Sequence, residues 1–147
     1  MARFLLDSNV IVAVVSSWHE HHEAAIGELE RRVAAGEAMV IAGHTLLESY
    51  AVLTRLPAPY RLSAADAHAL INANFIGTGE VAALDSRTYV QLLERIGTGG
   101  VTGGQSYDAL IAECARQAGV DTLLTFNERH FRGLLDRTVA LVVPSVR

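Results

Sequence analysis

The chain has 147 residues, the length of one ordinary domain, and half of them are apolar, which excludes a disordered chain. Its formal net charge of −4 at pH 7 argues against a broadly basic surface that coats nucleic acid, and no apolar run is long enough to span a membrane. There is a single cysteine, Cys114, and no secretory signal, so we expect one domain over residues 1–147 in the reducing cytoplasm, with no membrane partner.

The first predicted strand is the apolar run from Phe4 to Leu6, which ends abruptly at Asp7, Ser8 and Asn9. An uninterrupted apolar run is typical of a strand buried on both faces of a parallel sheet. Such sheets bind ligands just beyond the carboxyl ends of their strands, where Asp7 lies. Asp7 could equally well cap the helix that begins near Asn9. This stretch alone leaves both interpretations open.

Strands and helices are predicted to alternate along the rest of the chain. Four more strand patterns follow, at residues 38–42, 81–84, 121–127 and 139–143. Helical spacing occupies residues 10–15, 19–35, 45–56, 63–75, 86–96 and the segment from 106 to the stop at Gly119, and a short helix or turn follows at 127–131. The pattern predicts a single α/β domain with α/β/α layers, in which helices flank a mostly parallel central sheet of about four to five strands.

Three further polar residues occupy positions where such a sheet places its chemistry. Glu48 lies within an apolar helix, Asp108 in the first turn of a later helix, and Asn127 at the end of the fourth predicted strand. Taken singly, Glu48 could be exposed and Asp108 could simply favour the helix dipole. Together with Asp7, however, they are expected to converge on one edge of the sheet. Carboxylates brought together there repel one another unless a divalent cation neutralises them, and oxygen ligands suit Mg²⁺ or Mn²⁺.

Other conspicuous stretches have simpler interpretations. His19, His21 and His22 could share a metal ion with neighbouring glutamates, but a solvated helix start is the favoured interpretation. The glycine-rich segment 98–104 lacks the lysine of a phosphate-binding loop and is interpreted as a flexible loop that could gate the site. Asp85 follows a strand as Asp7 does, but helix capping explains it.

Four stretches carry a resemblance to a known family: Leu6 to Asn9, Glu48, Tyr107-Asp108-Ala-Leu-Ile-Ala, and Thr125 to Phe131. In this order they resemble the PIN-domain endoribonucleases, and among them the VapC-like toxins of bacterial toxin–antitoxin pairs. The resemblance runs nearly end to end and implies a single PIN-like domain.

The resemblance also implies roles for individual residues. It makes Asp7, Glu48 and Asp108 the metal-binding acids. Asn127 falls where many family members have a fourth acid and others have asparagine, which leaves open whether one or two metal ions bind. The further positions implied to support catalysis or to contact substrate are Ser8 and Thr125 as hydroxyls that hold an acid or water, Asn9 as a hydrogen-bonding neighbour of an acid, and Arg129 as a contact to substrate phosphate or to an antitoxin segment. Arg129 could also be an ordinary exposed helix arginine.

The family implies Mg²⁺- or Mn²⁺-dependent hydrolysis of RNA that leaves a 5′-phosphate and a 3′-hydroxyl, together with homodimerisation and inhibition by a cognate antitoxin. Two alternatives remain open. The first is a catalytically weak or inactive PIN-fold module that binds RNA or protein, which Asn127 favours and the three acids disfavour. The second is a phosphoryl-transfer enzyme with Asp7 as nucleophile, which is disfavoured because Asn9 stands where such enzymes typically carry a second aspartate.

Overall fold

The computed structural model of this chain describes residues 1–146. It contains a five-stranded parallel sheet with the strand order β3-β2-β1-β4-β5. The elements in chain order are β1 (Arg3–Leu6), α1 (Ser8–Val15), α2 (His22–Ala34), β2 (Ala38–Ala42), α3 (Gly43–Arg55), α4 (Ala64–Ile71) with a π-helical turn (Asn72–Ile76), β3 (Glu80–Ala82), α5 (Ser86–Thr98), α6 (Gln105–Gln117), β4 (Thr122–Leu124), α7 (Glu128–Phe131) and β5 (Ala140–Val142). The predicted α/β domain with a parallel sheet is confirmed.

The central strand β1 shows why its sequence is apolar without interruption. Phe4 and Leu6 point into a core formed largely with α1, α3 and α4, whereas Leu5 points into a second core formed largely with α5 and α6. All three side chains are fully buried. Side chains alternate between the faces of a strand, so a strand covered by helices on both sides needs an apolar residue at every position.

The outer strands are shorter than the sequence patterns predicted because each is limited by its neighbour. The third strand was predicted at 81–84 but spans Glu80–Ala82, since its partner β2 ends at Ala42 and leaves nothing for residue 83 to pair with. The fourth was predicted at 121–127 but ends at Leu124, opposite the last residue of β1. The fifth, predicted at 139–143, is likewise limited to Ala140–Val142.

The helix boundaries differ from the patterns in similar small ways. The second helix begins at His22 rather than at residue 19, because residues 16–22 form two consecutive turns closed by backbone hydrogen bonds. The helix predicted over 63–75 is α-helical to Ile71 and then continues as the π-helical turn. Among the described residues, no helix is both long enough and apolar enough to cross a membrane.

Candidate active site

A cleft of about 620 Å³ opens at the carboxyl edge of the sheet. Since all five strands are parallel, the segments that follow β1, β2 and β4 meet at this edge. Its lining includes seven of the residues singled out from the sequence, namely Asp7, Ser8, Asn9, Glu48, Asp108, Asn127 and Arg129, together with Gly104, Gln105, Tyr107 and His130. The eighth, Thr125, is fully buried and contacts the cleft residues through its hydroxyl. The structure therefore brings the dispersed acids together.

Asp7 both caps α1 and forms part of the cleft. One carboxylate oxygen, Oδ1, accepts a hydrogen bond of 2.8 Å from the backbone N–H of Ser8. The other, Oδ2, accepts one of 2.7 Å from the Thr125 hydroxyl and a longer one of 3.3 Å from the Asn9 amide. The two interpretations left open by the sequence, cap and site residue, are thus compatible.

The Asp7 carboxyl holds its proton more tightly than an ordinary aspartate does. The residue is only 4% exposed. Burial is the main cause that raises its pKa, the hydrogen bonds from Thr125 and Ser8 partly oppose that effect, and the nearby charges of Asp108 and Glu48 raise the pKa further, to about 6. The three acids are therefore close enough to influence one another electrostatically.

Glu48 lies in the middle of α3 and faces the cleft. Its Oε1 accepts a hydrogen bond of 2.9 Å from the Ser8 hydroxyl, and its Oε2 lies 3.0 Å from Nε2 of His44, one turn earlier on the same helix. The His44 ring in turn stacks nearly parallel on Tyr107, with ring centroids 4.9 Å apart. Glu48 is held in place from both sides, although its side chain remains about one-third exposed (37%).

Asp108 approaches the cleft from the first turn of α6. Its Oδ2 lies 3.6 Å from Nδ1 of His130, which α7 supplies. Partial burial raises the pKa of Asp108, the neighbouring His130 opposes that effect, and Glu48 adds to it. In the described part of the chain, no arginine forms an ion pair with Asp7, Glu48 or Asp108.

Thr125 and Asn9 connect Asp7 to the loop that follows β4. The Thr125 hydroxyl, which donates to Asp7, accepts hydrogen bonds from the backbone N–H of Asn127 at 3.0 Å and from the Asn9 amide at 3.3 Å. Asn9 Oδ1 accepts a hydrogen bond of 3.2 Å from the backbone N–H of Phe126. These bonds fix the first acid relative to the loop that carries Asn127 and Arg129.

Comparison with known proteins decides the family. The model of the PIN domain matches residues 4–134. The chain belongs to the PIN-domain family. It is 38% identical over 117 residues to ribonuclease VapC40 of Mycobacterium tuberculosis, covering 80% of this chain and 81% of the relative. It is 35% identical over 112 residues to ribonuclease VapC27 of the same organism, covering 76% of each chain.

The fold of this PIN domain is also found in solved structures. VapBC2 from Rickettsia felis, crystallised bound to a DNA fragment from their promoter, superposes with a TM-score of 0.69 and 18% sequence identity. The match covers 97% of this chain and 99% of that chain. It shows a common fold over nearly the whole length of both chains.

Sequence reasoning missed two histidines that contact the acids of this PIN domain. His44 lies four residues before Glu48, a spacing that places both on one side of a helix and that could have drawn attention to it. His130 lies in the Thr125–Phe131 stretch, but no local spacing relates it to Asp108, so only the docking of α7 near α6 reveals the contact. Tyr107 and Gln105 complete the missed part of the lining.

Proposed function

We propose that this PIN domain is a divalent-metal-dependent endoribonuclease that hydrolyses phosphodiester bonds in RNA and acts as the toxin of a toxin–antitoxin pair. One observation carries the proposal: Asp7, Glu48 and Asp108 line a single cleft and none of them is neutralised by an arginine. Ribonuclease activity is also the named function of the two relatives above 30% identity.

The donor set fits a hard cation that binds with few protein ligands. Among the described residues, no three His, Cys, Asp or Glu side chains form a ready-made metal-binding cluster. Mg²⁺ does not need one, because it keeps several waters and usually takes only one or two carboxylates together with substrate phosphates. Asp7 and Asp108 would hold the ion, and Glu48 would assist as a ligand or as a base. When bound, the ion supplies positive charge for the phosphate oxygens and lowers the pKa of water.

The neighbouring side chains would keep the acids ionised and correctly oriented. The Thr125 hydroxyl and the Ser8 backbone N–H donate to the carboxylate of Asp7, and such bonds favour its charged form. The Ser8 hydroxyl and His44 hold the two oxygens of Glu48. Asn9 links Asp7 to the loop after β4 and is already used for that purpose, which leaves no role for it in phosphoryl transfer.

Substrate and partners are proposed from the same surface. Arg129 is exposed at the cleft and would contact an RNA phosphate, or an acidic or terminal group of an antitoxin segment inserted there. The fold similarity to VapBC2 supports a cognate antitoxin partner, and the family resemblance supports a homodimer. Co-expression with the antitoxin, followed by light scattering of the complex and of the free toxin, tests both assignments.

A second candidate function is an RNA- or protein-binding module without catalysis. Asn127 favours it, because this residue lines the cleft with an amide where many family members have a fourth carboxylate. An amide adds no charge and is a weaker metal ligand. The three acids that remain favour the enzyme, so the cleavage experiment decides between the two functions.

That experiment incubates purified protein with a structured RNA mixture in the presence of Mg²⁺ or Mn²⁺, and in parallel with EDTA or with the Asp7→Asn variant. We expect cleavage that depends on the metal and is lost with EDTA and with Asp7→Asn. Asp85→Asn is the matched control, because Asp85 caps α5 much as Asp7 caps α1 but does not line the cleft.

Each possible result has a defined meaning. Cleavage that survives Asp7→Asn would show that the active site lies elsewhere or that a contaminant cuts the RNA. Absence of cleavage by folded protein that binds metal would favour the binding module.

A further inference from the structure

A row of aromatic rings leads away from the cleft and has no part in the chemistry described so far. It consists of Phe126, His21, His19, Trp18 and Tyr60, and we call it the aromatic row. Phe126 and His21 stack with centroids 4.4 Å apart, as do Trp18 and Tyr60. His19 joins the two pairs through tilted contacts of 5.6 Å to each neighbour. Three separate loops contribute these rings, so no local sequence pattern announces the row.

The far end of the aromatic row faces solvent. Trp18 is 45% exposed and Tyr60 is 43% exposed, which is unusual for rings of this size. In residues 16–22 and 56–62, the two loops that carry these rings, no Val, Leu, Ile or Met side chain is exposed. The exposed surface is therefore made of ring faces and polar groups, without the aliphatic surface that surrounds aromatic anchors in most protein interfaces.

The near end of the aromatic row belongs to the wall of the cleft. Phe126 lies between Thr125, which donates to Asp7, and Asn127, which lines the cleft. Its backbone N–H is bonded to Asn9, which in turn donates to Asp7. A strand of nucleic acid whose phosphate lies at the acids could therefore continue onto the rings without leaving the protein surface.

Charge at the two ends of the aromatic row suits a phosphate backbone. Arg61 follows Tyr60 and donates to the backbone carbonyl of Leu56, and within residues 1–146 it forms no ion pair. Arg129 at the cleft likewise has no acidic partner among the described residues. Partial burial, followed by the neighbouring His21, lowers the pKa of His19, which favours the neutral ring in the middle of the row. The exposed carboxylate of Glu20 is the opposing charge, and it lies 3.5 Å from His21.

We propose that the aromatic row binds, by base stacking, a single-stranded RNA segment that flanks the phosphodiester bond held in the acid cleft. The proposal rests on the ribonuclease function proposed above and adds a second subsite to it. Stacking on aromatic side chains is the usual way in which proteins bind single-stranded nucleic acid, and it tolerates any base because every base has a π-face. A duplex cannot use this subsite, since its bases are already stacked.

Fluorescence tests the subsite directly, because Trp18 is the only tryptophan in the chain. The Asp7→Asn variant is titrated with an oligouridylate, which has little structure of its own, and with an RNA duplex of the same length. We expect the oligouridylate to quench the emission of Trp18 and the duplex to leave it nearly unchanged at equal concentration. Equal quenching by both RNAs, or by neither, would overturn the proposal.

Kinetics on an RNA substrate with a long single-stranded flank test whether the subsite is used. We expect Trp18→Ala and Tyr60→Ala each to raise KM by about tenfold with little change in kcat, since a base–aromatic stack contributes about that factor. Trp18→Phe should retain most of the affinity because it keeps a ring. Tyr89→Ala is the matched control: Tyr89 is an exposed tyrosine on α5 (48%) without a ring contact among the described residues, and its loss should leave KM unchanged.

The two measurements separate this proposal from the function on which it rests. Cleavage without quenching of Trp18 by RNA would leave the ribonuclease intact and remove the subsite. Quenching without cleavage would keep the subsite and remove the enzyme. Should the cognate antitoxin quench Trp18 while RNA does not, the aromatic row is a protein interface and the proposal is wrong. Thermal unfolding of each variant excludes misfolding as the cause of a loss.

Discussion

Two kinds of buried acid occur in this domain, and arginine distinguishes them. Glu28 on α2 is paired with Arg31 and Arg32, and Glu113 on α6 is paired with Arg95 and Arg116. Asp7 is as deeply buried as either of them but has only hydroxyl and amide donors around it. The structural acids are neutralised by charge, whereas the acid in the cleft is not.

The pKa values move in opposite directions as a result. Burial raises the pKa of Glu28, but the hydrogen bonds and charges of its two arginines outweigh it and lower the pKa overall. The hydrogen bond from Arg116 is the main cause that lowers the pKa of Glu113. For Asp7 burial prevails and the pKa rises to about 6.

The comparison also shows that a cavity is a poor guide to function by itself. A second cavity, of about 270 Å³, lies beside Glu113, and the arginines that pair with this glutamate line it. Its acid is already satisfied and gains nothing from a cation. A cleft whose acids lack counter-charges is the better indicator of a site, because the missing charge must come from a ligand.

The largest effect on stability is expected at Glu28. Glu28→Gln should lower the free energy of unfolding by about 2–3 kcal/mol, because two charge-assisted hydrogen bonds to a buried carboxylate are weakened. Urea denaturation measures the change. Glu30→Gln, at an exposed position of the same helix, is the control and should change stability by less than about 0.5 kcal/mol. Equal effects at the two positions would mean that the arginine pairs contribute little.

Asp7→Asn should have the opposite sign. In EDTA near neutral pH we expect the free energy of unfolding to rise by about 1–2 kcal/mol, because the variant no longer buries an ionised carboxylate. The folded-state pKa of Asp7 lies above its unfolded value, so the wild-type carboxyl loses stability as pH rises from about 4 through about 6. The gain in the variant should therefore shrink toward zero when the denaturation is repeated near pH 4. A gain that is independent of pH would contradict this account.

A smaller effect, this time on catalysis, is expected at Thr125. Thr125→Val removes the hydroxyl that donates to Asp7, so the charged form of that acid loses a partner and its pKa rises further. We expect the rate of RNA cleavage near neutral pH to fall by about tenfold, and the pH profile to shift upward. Thr125→Ser keeps the hydroxyl and should keep the wild-type profile. A profile that does not move in Thr125→Val would remove the hydroxyl from the mechanism.

The smallest effect is expected at Arg129. Arg129→Ala should raise KM for RNA by about two- to fivefold at low salt, and the difference should vanish as salt screens the phosphate contact. Arg137→Ala is the matched control, since Arg137 is exposed and does not line the cleft. If both variants raise KM equally, the effect reflects the overall charge of the protein and not a contact at the site.

The sequence by itself determined the fold class, the family resemblance and the chain positions of the acids. The reason is that these features are written in near neighbours: the continuous apolar run Phe4–Leu6 predicts a strand buried on both faces, and an acid directly after it predicts a place at the sheet edge. Even the cap at Asp7 could be predicted, because capping is local. The strand ends could not, since each depends on where the partner strand stops.

Only the tertiary structure decided how those acids behave. The pKa of Asp7 depends on burial beneath several elements and on Thr125, which lies 118 residues away in the chain. The contact of His130 with Asp108 and the aromatic row depend in the same way on loops that dock from distant parts of the sequence. Hydrophobic periodicity describes which face of an element is buried, but it carries no information about which side chains meet once the elements have packed.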